Sequence, residues 1–107
     1  MEPFCREVTK TVLPAIRASV AETLSKKHSY TQQEIANGLG IVQVAVSKYV
    51  NGRYSNRVKK VKDYIISKNL NMEVVENILN GEKYEEVERS IDRLCTDSSL
   101  LALISTG

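Results

Sequence analysis

Apolar positions recur with a helical period along nearly the whole chain, and no segment alternates as a strand would. In the first segment, about 6–27, Val8, Val12, Ile16, Val20 and Leu24 fall every fourth residue and form an apolar stripe. Pro14 lies within it. Proline removes a backbone hydrogen bond and crowds the preceding turn, so a break near Leu13 is expected, with Pro14 opening a second helix. Lys26, Lys27 and His28 close that helix, where cations suit the negative end of the dipole.

From Thr31 to Gly52 the chain reads TQQEIANGLGIVQVAVSKYVNG. Thr31 followed by Glu34 is a capping box, which starts a helix at Gln32. Ile35, Ala36 and Leu39 then share one side, Gly40 supplies a left-handed end, and Ile41 plugs the turn. A second helix begins near Val42 or Gln43. At 100° per residue, Ala45, Val46, Tyr49 and Val50 share one arc, and Gln43, Val44, Ser47, Lys48 and Asn51 share the other. Two helices joined by a short glycine turn, one with a slim polar outer face, make a helix-turn-helix pattern.

Four further segments follow. One runs from about Asn56 to Lys68, with Val58, Val61, Tyr64 and Ile65 inward. The next runs from Met72 to Asn80, with Asn71 as N-cap and Gly81 just past the end. The third, about Glu82 to Cys95, carries the stripe Tyr84, Val87, Ile91 and Leu94. The last is short and apolar (Leu100, Leu101, Leu103, Ile104), with Asp97 or Ser98 as its cap. The prediction is an all-α protein, and 107 residues suffice for one domain with a modest core.

Composition adds location. No apolar run is long enough to span a membrane, and MEPFCREVTK lacks an apolar signal core, so a cytoplasmic protein with no membrane partner is expected. Cys5 and Cys95 stand far apart without CxxC partners, which suits a reducing compartment and buried, inert thiols.

The net charge of +2 says little, but its distribution is uneven. Residues 53–68 carry six Lys/Arg against Asp63 alone, and residues 69–107 carry three against eight Asp/Glu. A basic block therefore follows the helix pair directly, and an acidic tail follows the block. No nucleophile–base–oxyanion set, glycine-rich phosphate loop or metal-ligand cluster is visible, so no enzyme activity, cofactor or metal is expected. The glutamates at 73, 76, 85, 86 and 88 fit a solvated face, and His28 fits a helix end.

The residue types of the helix pair fit a duplex. A slim polar helix can enter a major groove about 12 Å wide, where glutamine matches adenine and lysine reaches guanine or a phosphate. Val44 suits a thymine methyl. Gln43, Val44, Ser47, Lys48 and Asn51 are thus candidate base contacts, and Arg53, Arg57 and Lys59 candidate phosphate contacts.

The pair resembles the helix-turn-helix of the lambda-repressor-like (Cro/repressor, XRE-type) superfamily. Ile35, Ala36, Leu39, Gly40, Ile41, Val46 and Tyr49 match positions that the family fills with motif core. Gln32 and Gln43 match a family glutamine pair, in which the first touches phosphate and braces the second on a base. With CREV, VLPAIRA and the run to Asn51, residues of about 5–55 look like a group of small archaeal predicted transcriptional regulators. The resemblance implies a five-helix DNA-binding domain over 1–81, with the motif at about 32–50. It also implies a regulator that binds double-stranded DNA as a homodimer, with no effector class indicated. Residues 82–107 lie outside the resemblance. Their stripe of Tyr84, Val87, Ile91 and Leu94, with Leu101 beyond, exceeds what five helices need and is the candidate dimer interface. The rival is a helical adaptor that binds another protein of the transcription machinery, which the acidic tail and near-neutral total charge also fit.

Overall fold

The structure, a computed structural model, describes residues 7–105. Among them the chain forms one π-helical turn, seven α-helices and no strand. The π-helical turn, Val8–Val12, runs directly into α1, Leu13–His28. The Leu13 N–H donates to the Val8 carbonyl, five residues back, and both Val12 and Leu13 keep right-handed helical angles. The break expected near Leu13 is therefore absent. Pro14 has no N–H to give and its ring crowds the carbonyl four residues back. The wider π turn before it absorbs that conflict while the helix continues.

α1 is the hub, in contact with the π turn and with α2 (Gln32–Leu39), α3 (Gln43–Val50), α4 (Asn56–Ser67), α5 (Met72–Leu79) and α6 (Tyr84–Cys95). The last helix, α7 (Ser98–Ser105), lies against the π turn and α4. The stripe predicted on α1 is one part of a helix covered on most sides: Ala15, Ala18, Ser19 and Ala21 are buried along with Ile16, Val20 and Leu24. Those small side chains let neighbours approach from several directions.

The helix ends follow local chemistry. Thr31 Oγ1 accepts from the Glu34 N–H at 3.1 Å, and Glu34 Oε1 accepts from the Thr31 N–H at 2.8 Å, so the capping box is complete. Asp97 starts α7 by accepting from the N–H groups of Ser99 and Leu100. Asn71 departs from expectation. It occupies the N-cap position of α5, but its side chain turns inward and donates to Ser19 Oγ at 3.3 Å and Thr23 Oγ1 at 3.2 Å. A buried amide needs partners, and α1 supplies them in place of the helix end.

The stripe on α6 is also corrected. Val87, Ile91 and Leu94 are buried in the chain's own core, where α6 packs on α1, α2 and α5. They were expected to lack an intramolecular partner, and they have one. Each such side chain contributes about 1.5–3 kcal/mol by its burial. Leu101 is half-buried against the same core, and Leu100 and Ile104 are buried. Residues 84–105 thus share one core with the rest. Of the predicted interface set only Tyr84 is exposed, and its ring leans over the turn after α2: a Cβ on Gly40 would come within 2.3 Å of it. With φ at +67°, Gly40 suits the backbone there, and any side chain would also have to displace the Tyr84 ring.

Candidate functional site

α3 is presented by α2 and α1. Ile35, Ala36 and Leu39 of α2 are buried and lie under the pair with Val46 of α3, which has no exposed surface. Ile41 and Tyr49 are half-buried and pack on the same core. Gly40 ends α2, and the Ile41 N–H donates back to the Ala36 carbonyl at 3.1 Å. Fixing Val46 inward points the opposite arc of α3 at solvent: Gln43, Lys48 and Asn51 are exposed, and Val44 is 70% exposed. Ser47 is half-buried and accepts from Asn51 Nδ2 at 3.3 Å, so two of the outward polar groups hold one another. Val42, just before α3, is 69% exposed and gives the helix no side-chain cap.

Gln32 opens α2 half-buried and Gln43 opens α3 exposed. No hydrogen bond joins their side chains among the described residues, so the brace implied by the resemblance is not formed here.

The basic block divides sharply. Arg53 is exposed beyond α3; its N–H closes the turn onto the Lys48 carbonyl at 2.8 Å, and its guanidinium has no ion pair among the described residues. Lys60 is exposed in the same condition. Arg57, expected beside Arg53, is instead held by its own chain. Its Nη2 lies 3.1 Å from Glu7 Oε2 and donates to the Ile104 carbonyl at 3.2 Å. Lys59 pairs with Asp63 at 3.0 Å, one helical turn on. Lys62, another cation of the block, is buried. Its Nζ meets Glu22 at 2.9 Å and Asp63 at 3.1 Å, beside the Tyr54 ring.

The pKa directions agree with this geometry. Desolvation works against the charge on Lys62, but its interactions with Glu22, Tyr54 and Asp63 outweigh it and hold the ammonium above the ordinary lysine range. Desolvation likewise opposes the Asp63 carboxylate, and Lys59 and Lys62 outweigh it and hold the carboxyl below its usual value. Burial, with Asp92 nearby, pushes the Cys95 thiol up, which makes it a poor nucleophile. Cys5 lies outside the described residues. Among the described residues no group of three or more His, Cys, Asp or Glu side chains is placed to hold a metal. No described helix is long and apolar enough to cross a membrane.

Of the acids that capture the basic block, Asp63 is local to it, but Glu7 and Glu22 carried no signal in the sequence, because each lies 40 or more residues from its cation. The candidate surface that remains is narrower than the sequence suggested: the outward arc of α3 with Arg53 beyond it, while Lys60 lies on α4 beside Leu103 and Ile104 of α7. No family model, curated protein or solved structure matches the chain.

Proposed function

We propose that the chain is a sequence-specific regulator of transcription that binds double-stranded DNA, with α3 in the major groove and a fold of the lambda-repressor-like kind extended by α6 and α7. The observation that carries this is the division of α3: Val46 is wholly buried while Gln43, Val44, Lys48 and Asn51 stand out to solvent on the opposite arc. A helix so divided offers amide, ammonium and methyl groups of the kinds that meet base edges. The uncapped start of α3 leaves N–H groups for a phosphate, and Arg53 follows on the next turn. Gln43 and Lys48 contact bases, Val44 meets a thymine methyl, and Arg53 holds phosphate. Two copies bind two half-sites one turn apart, paired through a surface other than the buried stripe of α6.

The adaptor alternative gains one feature from the structure, the exposed side chains of Val42 and Val44, which would suit an apolar partner. Selection of bound duplexes from a random pool, repeated at rising salt, separates the two. A palindromic consensus and binding that weakens steeply with salt are expected. No enrichment, with retention of a protein partner regardless of salt, would replace DNA by protein as the target.

A further inference from the structure

Two large apolar side chains on α5 are left in solvent: Met72 is 52% exposed and Leu79 is 36% exposed. They stand one heptad apart on one face of the helix. Between them lies a groove of about 200 Å³, floored by Ile66 of α4 and Val75 of α5. Its rim is charged. Lys27 and His28, at the end of α1, line one part and are exposed, and Lys27 has no ion pair among the described residues. Glu76 supplies an acidic group on the same rim. Asn71 lines the groove too, but its amide hydrogens are already spent on Ser19 and Thr23.

A concave apolar floor beside converging polar groups is the usual build of a small-molecule site. The floor would cover a short hydrocarbon or one aromatic ring. The Lys27 ammonium would fix one end of the ligand with the His28 ring beside it, and Glu76 would repel a second negative group. We propose that this groove binds a small apolar carboxylate, with its hydrocarbon body between Met72 and Leu79 and its carboxylate toward Lys27 and His28. Its occupancy is independent of what α3 binds.

The chain has two methionines, Met1 and Met72, so methyl labelling of methionine places one of two NMR signals in the groove. Hexanoate is titrated into the full chain, with hexanol and hexylamine as neutral and cationic probes of the same body. The expected result is a saturable shift of the Met72 methyl by hexanoate at concentrations up to about 10 mM. Hexanol should bind more weakly and hexylamine weaker still. Lys27→Gln should weaken hexanoate about threefold and leave hexanol unchanged, while Glu76→Gln should strengthen hexanoate. Both substitutions fall on exposed residues and spare the core. Three results would overturn the proposal: no saturable shift; equal binding of hexanoate and hexanol with no effect of Lys27→Gln; or a Met72 signal that moves with protein concentration alone while sedimentation reports a doubled mass. The last would assign the groove to a second copy.

Discussion

Lys48 on α3 and Lys62 on α4 sit on consecutive helices, yet they meet opposite fates. Lys48 stands in solvent, with no ion pair among the described residues. Lys62 is buried between Glu22 and Asp63. Arg53 and Arg57 repeat the contrast four residues apart, one in solvent and one clasped by Glu7 and the Ile104 carbonyl. A count of positive charges treats all four alike. What differs is whether the charge already has a partner, and only an unpaired charge can release counterions from a phosphate without first losing an internal contact.

The contrast can be broken experimentally at several points. On the DNA side, Gln43→Ala should weaken binding to the preferred duplex by about 1–3 kcal/mol and relax preference at one base pair. Equal loss on preferred and random duplexes would take Gln43 out of base readout. On the stability side, Lys62→Ala should cost roughly 2 kcal/mol in a urea melt, because Glu22 and Asp63 lose the cation between them. That is less than for a fully buried pair, since both acids keep some solvent. Lys48→Ala should stay within about 0.5 kcal/mol of the parent. Similar costs for the two lysines would erase the distinction.

Arg53→Ala should flatten the salt dependence of DNA binding by about one unit, and Arg57→Ala should leave it nearly unchanged. A matching loss for Arg57→Ala would mean that DNA draws it away from Glu7. The smallest effect concerns Asp63. Its carboxyl is held below the usual range, so it contributes stability at neutral pH that starts to fade below the ordinary aspartate value of about 4 and is lost as pH falls through its own lower pKa. Asp63→Asn should lose a small part of the acid-side decline in melting temperature. An unchanged decline would show that the Lys59 and Lys62 contacts contribute nothing to stability.

The all-helical character and the α2–α3 pair were legible because their signals are local. Thr31 and Glu34 find each other three residues apart, and Gly40 declares its turn by lacking a side chain. The arcs of α3 follow from its period, so Val46 inward and Lys48 outward could be read directly. The misjudged features depend on which distant segment arrives. Periodicity marked the α6 stripe as apolar but could not say that α1, α2 and α5 would cover it. Glu7 and the Ile104 carbonyl, which hold Arg57, and Glu22, which meets Lys62 opposite Asp63, come from segments far from α4 in sequence. Gly38 carried no signal, yet a Cβ there would come within 2.7 Å of Ile78, so its bareness lets α5 approach α2. Asn71 had two competing uses for its amide, and the buried one prevailed. Pro14 announced a conflict correctly; the π turn that resolves it is a matter of register that composition does not encode.

The central place of α1 also has a consequence in time. Synthesis delivers α1 before the helices that cover it. Ile16, Val20 and Leu24 leave the ribosome early, and their shelter arrives with α2 through α6, the last of which ends at Cys95. Until each of these helices emerges, part of the apolar surface of α1 stands uncovered. The interval before α6 docks is when this protein is most exposed to chaperones and to wrong partners.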